Sequence, residues 1–137
     1  MDFAKGEVLY DPTFMYPSST QPCDKLLLIV NKNHSHSQDV VIIPATTHQD
    51  DYSYKPFCNE IEKIFYFDTQ IGFYKQKTIL QLYLIDLISM ELLENKISTN
   101  CIHRLKNKTT PNEFGQIINC LKRMKDDIPF FIQELIF

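Results

Sequence analysis

The sequence predicts a mainly β domain that closes with a C-terminal helix. Two observations predict the sheet. Val40-Val41-Ile42-Ile43 is a run of β-branched residues, and Leu26-Leu27-Leu28-Ile29-Val30 is a second apolar run upstream. Such short, continuous apolar runs read as buried strands. The third observation predicts the helix. Thr110-Pro111-Asn112-Glu113 supplies a cap, a proline at the first helical position and a glutamate three residues after the cap. Phe114, Ile117, Ile118, Leu121 and Met124 then recur at helical spacing, so the helix is expected to run to about Lys125.

The other elements follow in chain order. Gly6 to Tyr10 is a short strand, and Asp11-Pro12 with Pro17-Ser18-Ser19-Thr20 makes residues 11–24 a loop. Polar residues 31–37 join the Leu26–Val30 strand to the Val40–Pro44 strand as a hairpin. That second strand is expected to stop at Pro44, which has no N–H for a ladder. Residues 49–59 form a polar, aromatic loop, either a flap over a site or a surface for a partner. Glu60–Phe67 reads as a strand, residues 68–72 as a turn and Thr78–Ile88 as a further strand. A short helical turn is expected over 89–94 and a strand over 101–105. After Ile128-Pro129, the apolar tail Phe130–Phe137 is expected to be buried in the domain or against a partner.

The composition narrows the function. With 137 residues, 44% of them hydrophobic and 23% charged, the chain has the make-up of one soluble domain over 1–137. Only three glycines occur, which disfavours a P-loop or a dinucleotide fingerprint. No apolar run nears the roughly 20 residues that span a bilayer, and Met1–Gly6 lacks the apolar core of a signal peptide. The expectation is a cytoplasmic protein with no membrane segment. Cys23, Cys58, Cys101 and Cys120 lack zinc-knuckle spacing and read as reduced thiols rather than a disulfide framework. His34 and His36 on the hairpin have no acidic or thiol ligand fixed beside them, so no metal and no cofactor is expected. The net charge of −3 is unevenly spread: Lys96, Arg104, Lys106, Lys108, Lys122, Arg123 and Lys125 face only Glu113 between residues 96 and 125. This allows a local basic face, or simply a solvated helix surface.

The order of several motifs resembles the MazF/PemK family of ribonuclease toxins. Gly6-Glu7-Val8-Leu9 resembles the opening strand of that family. Lys25 to Val30 lies where the family has Arg-Pro and an apolar strand, and Pro44-Ala45-Thr46-Thr47 is similar to its Pro-x-Thr-Thr segment. Gly72-Phe73, Thr78-Ile79-Leu80 and Leu84-Ile85 resemble its central motifs, and Arg104-Leu105 with the last helix resembles its closing part. The resemblance implies a small SH3-like twisted β-barrel, a homodimer, metal-independent cleavage of single-stranded RNA and a cognate antitoxin as protein partner. Two family arginines are replaced, one by Lys25 and one by Asp86. Lysine keeps the charge but not the planar fork that matches a phosphate, and an aspartate would repel one.

RNA cleavage by the 2′-hydroxyl needs a proton acceptor, a group that offsets phosphorane charge and a proton donor. The catalytic candidates are Lys25 for charge, Thr46 for a phosphate hydrogen bond and His48 for proton transfer. Thr47, Tyr52, Tyr54, Arg104 and Lys106 are candidates for RNA binding, the tyrosines by stacking bases. His103 is a second acid–base candidate. Each of these side chains also has an ordinary structural or surface role open to it. The competing reading is a catalytically inactive barrel of the same fold that binds protein or nucleic acid, and an unrelated α+β domain is a third.

Overall fold

A computed structural model describes residues 2–35, 38–47, 52, 55–67 and 78–137, of Lys106 and Asn107 the backbone alone. Eight strands form one antiparallel sheet: β1 (Glu7–Phe14), β2 (Cys23–Ile29), β3 (Val40–Thr46), β4 (Phe57–Asn59), β5 (Ile64–Tyr66), β6 (Ile79–Leu80), β7 (Asp86–Ile88) and β8 (His103–Lys108). Their order is β4-β5-β6-β3-β2-β1-β8, and β7 pairs with β3 beyond β6. The helices are α1 (Met90–Ser98), α2 (Pro111–Arg123) and α3 (Phe130–Ile136). Among the described residues the end strands β4 and β8 do not pair with each other, so the sheet is open.

Alternation along β2 and β3 builds two apolar layers, because successive side chains leave opposite faces of a strand. Leu26, Leu28 and Val30 join Val41, Ile43 and Ala45 on one face, under α2 and α3. Leu27 and Ile29 join Val40 and Ile42 on the other, where Met90 and Leu93 of α1 and Ile102 cover them. A third cluster, Ile64, Tyr66 and Ile79, carries Tyr52 against it. Helix α2 begins as its sequence requires: Thr110 accepts from the Glu113 backbone N–H at 3.2 Å, and Glu113 accepts from that of Thr110 at 3.2 Å. Gly6 has φ +76°, and a Cβ there would collide with the Thr109 hydroxyl, so this corner beside α2 requires glycine.

Several boundaries differ from the sequence reading. β1 continues through Asp11-Pro12 to Phe14, with a register shift that absorbs the proline, so the loop begins later than residue 11. β3 runs past Pro44 to Thr46. Val40–Ile42 pair with β7 and Ala45–Thr46 with β6, so Pro44 lies at the seam between two partner strands. Its carbonyl accepts from Gln81 N–H at 2.9 Å. A strand residue points its N–H and C=O to the same neighbour, so the missing donor falls where the partner strand is already interrupted. The interruption is a 3-10 turn at Leu82–Leu84, which divides the continuous strand expected over 78–88.

Residues 60–63 form a turn rather than the start of a strand. Asn59 accepts from the backbones of Ile61 and Glu62 at 3.1 and 3.0 Å, and Lys63 has φ 57°. β4 occupies the end of the expected 49–59 loop. The helical turn expected over 89–94 is the longer helix α1, capped by Ser89, and the strand expected over 101–105 begins at His103 and reaches Lys108. The tail is only half buried: Ile132 and Ile136 enter the core, while Phe130 and Phe131 are 72% and 58% exposed. The expectation of reduced thiols fails at one pair. Cys58 and Cys120, 62 residues apart, are joined in a disulfide between β4 and α2. Cys23 and Cys101 are free. Among the described residues no helix is long and apolar enough to cross a membrane.

Candidate functional site

The register of β2 on β3 decides which polar groups meet. Leu26 lies opposite Ala45, so the next step along both strands sets Lys25 beside Thr46. By alternation both leave the sheet on the face of Leu27 and Ile42, beyond the apolar layer. They line one cavity of about 380 Å³ together with Tyr16, Cys23, Tyr52, Gln81 and Tyr83. The structure thus brings together Lys25, Thr46 and Tyr52 of the sequence candidates.

Lys25 is 4% exposed. Its ammonium stands 4.9 Å from the centroid of the Tyr16 ring, within reach of a cation–π attraction. Among the described residues no carboxylate forms an ion pair with it. Asp11 is its cross-strand partner in register, but the Asp11 carboxylate accepts from the N–H of Thr13 at 3.0 Å and from its hydroxyl at 3.4 Å. A buried cation without a carboxylate is costly to hold, and an anion in the cavity would relieve that cost.

Gln81 is the hub of the wall opposite. It is 2% exposed, and its Nε2 donates toward the hydroxyls of Tyr16 and Tyr52 at 3.1 Å each and of Tyr83 at 3.2 Å. Two hydrogens face three oxygens, so one is shared. The Tyr52 and Tyr83 hydroxyls share a hydrogen at 2.6 Å. Burial, then the hydrogen bond to Tyr52, push the Tyr83 hydroxyl well above the ordinary tyrosine range, against a smaller opposing effect of Gln81. This hydroxyl therefore stays protonated at neutral pH, and the wall is a set of neutral donors around one cation.

The remaining candidates lie elsewhere or outside the described residues. Thr47 follows β3 directly but does not line the cavity. Arg104 is committed to structure: its Nε and Nη2 donate to the two Glu7 carboxylate oxygens at 2.8 Å each, and Nη2 also donates to the Asp2 carbonyl at 2.9 Å. The hydrogen bonds to Glu7 push the Arg104 guanidinium higher still, against burial. His103 is exposed, its ring stacked on Tyr10 at 6.1 Å. His48 and Tyr54, the Gly72-Phe73 motif, His36 and the Lys106 side chain lie outside the described residues. Asp86 does not line the cavity; it is exposed on β7 and accepts from the Leu87 N–H at 2.8 Å.

Tyr16, Cys23, Gln81 and Tyr83 were not singled out from the sequence. For Gln81 a signal existed, a carboxamide inside the apolar run Ile79-Leu80-Gln81-Leu82. Tyr16 and Cys23 both fall within 11–24, the stretch that read as a loop. Neither models of protein families nor curated proteins match this chain, so the reading of the site rests on its own residues.

Proposed function

We propose that this chain is a toxin-like endoribonuclease that cuts single-stranded RNA without a metal, with the Lys25–Thr46 cavity holding the scissile phosphate. The observation that carries the proposal is the buried Lys25 ammonium, with no described carboxylate paired to it, in a cavity walled by hydroxyls and a carboxamide. In the reaction the 2′-oxygen attacks phosphorus and loses its proton, and the 5′-oxygen leaves and gains one, giving a 2′,3′-cyclic phosphate. Lys25 offsets the added negative charge, and Thr46 and the tyrosines donate hydrogen bonds to phosphate oxygens. His48, two residues beyond Thr46, is the proton acceptor in this reading. The donors around the cavity include no carboxylate or imidazole among the described residues, which is the wrong chemistry for holding Mg²⁺.

The sheet is taken as an opened form of the small SH3-like twisted barrel of the MazF/PemK type. A homodimer would use Phe130 and Phe131 with exposed Ile61, since the Lys63–Asp127 ion pair at 3.4 Å ties their two turns together. An antitoxin would be the regulatory partner. A cytoplasmic protein of this kind must also work with Cys58 and Cys120 reduced.

One observation favours a second reading, a non-catalytic module that binds RNA or protein. No imidazole or carboxylate lines the cavity among the described residues, so none of them supplies the usual proton acceptor. Single-turnover cleavage of single-stranded RNA in EDTA separates the two. The wild type is expected to cut, Lys25→Ala and Thr46→Ala to cut about 10²–10³-fold more slowly, and Lys25→Arg to keep activity. Equal rates for wild type and both alanine variants would refute the site. RNA binding without cleavage would select the second reading.

A further inference from the structure

A second cavity shares no residue with the first. It measures about 480 Å³ and lies along α2, floored by Phe114, Ile118 and Ile136 and rimmed by Lys5, Lys32 and Lys108. The lysines come from three distant parts of the chain, before β1, after β2 and at the end of β8. No acidic side chain lines the cavity, and none of the three lysines forms an ion pair with a described carboxylate. The Lys5 ammonium stands 5.1 Å from the centroid of the Phe114 ring, within reach of a cation–π attraction to a residue that lines the cavity.

We infer that this cavity binds a single-chain amphipathic carboxylate, an acyl chain with its anionic head among the three lysines. The chain carries a net charge of −3, yet three lysines line this one apolar groove, so an anion that enters meets a local excess of positive charge. The floor argues against a small inorganic anion, which would leave Phe114, Ile118 and Ile136 unused. The size argues against a peptide helix. One turn of a helix about 10 Å across already occupies roughly 400 Å³, so the cavity would take barely a turn, whereas its volume is within the range of pockets for small ligands. Gly115 leaves the entry open: a Cβ there would meet nothing within 4 Å.

The experiment uses the full chain and decanoate below its micellar concentration at neutral pH. Calorimetry reads affinity, and amide shifts of Gly115 and Ile136 in nitrogen–proton NMR spectra read location. Decanoate is expected to shift both amides. Removing each methylene should weaken binding about fourfold. Decanol, with the same chain and no charge, should bind about tenfold more weakly, as should decanoate to the double variant Lys5→Glu, Lys108→Glu. Gly115→Leu should block the entry with an unchanged circular dichroism spectrum. If that variant misfolds, the lysine pair, which is exposed, still decides. The inference is overturned if decanoate shifts neither amide, if decanol binds as well as decanoate, if the lysine variant binds decanoate unchanged, or if an acidic amphipathic peptide takes the groove and decanoate does not.

Discussion

The bond between Cys58 and Cys120 ties β4 to the buried side of α2 across 62 residues of sequence. A cross-link over that span removes about 14 cal/mol/K of loop-closure entropy from the unfolded chain, or about 4 kcal/mol at 25 °C. Domains of this kind have a net stability of about 5–15 kcal/mol, so the bond is a substantial part of the total. The perturbation is the double variant Cys58→Ala, Cys120→Ala, and separately a reductant added to the wild type. Alanine is preferred to serine because Cys120 is buried and a hydroxyl there would lack a partner. In guanidinium, with a slope of about 4 kcal/mol/M for a chain of this size, the unfolding midpoint should fall by about 1 M in both cases. Cys101→Ala, at an exposed free thiol, should leave it unchanged. An equal wild-type midpoint with and without reductant would refute the reasoning. So would four alkylated cysteines, counted by mass spectrometry, in protein purified without reductant.

Three further outcomes are expected. Arg104→Ala should destabilise the fold by about 2 kcal/mol, because Glu7 is left buried and charged while the arginine side chain itself is 35% exposed; Arg104→Lys should not restore it, since lysine lacks the fork. Thermal melts of the three proteins check this, and an unchanged melting point for the alanine variant would count against it. The raised Tyr83 hydroxyl makes stability fall at alkaline pH. In the unfolded chain it ionises near 10.0 while the folded one keeps its proton, so its contribution is complete below pH 10.0 and is lost as pH rises above it. Tyr83→Phe should flatten that part of the stability profile, and an identical alkaline slope would exclude the hydroxyl as its source. Light scattering at micromolar concentration should give twice the monomer mass for the wild type and the monomer mass for Phe131→Glu; a monomeric wild type would remove the proposed dimer.

The meeting of Lys25 and Thr46 was legible only in part: parity puts both on one face of the hairpin, while the register that sets them side by side was left open by the sequence. The start of α2 was legible, since Thr110, Pro111 and Glu113 act within one turn. What the sequence hid is what depends on distant segments. Arg104 looks like one more member of a basic run, and only Glu7, 97 residues away, makes it structural. Cys58 and Cys120 obey no spacing rule. Gln81 shows its role only when Tyr16 and Tyr52 arrive from two distant segments to join its near neighbour Tyr83. The division of the 78–88 stretch was hidden too, because its apolar content suits a continuous strand and the break is imposed by β3.

Pro44 therefore bears on which of two foldings the chain chooses. A single straight strand over 79–88 laid along β3 would be a plausible competitor, rich in the residues that sheets favour. That arrangement would need a donor at the middle of β3, and the proline would leave a buried acceptor opposite it unsatisfied, at about 1–3 kcal/mol. The divided arrangement loses nothing, because the Gln81 carbonyl, next to the proline, accepts from the Leu84 N–H at 3.0 Å within the Leu82–Leu84 turn. One absent hydrogen thus discriminates against the uninterrupted ladder. In doing so it leaves Gln81 at the last rung beside Pro44 and Tyr83 in the turn that follows, both in the wall of the Lys25 cavity, so the cavity is a by-product of how the chain rejects a simpler sheet.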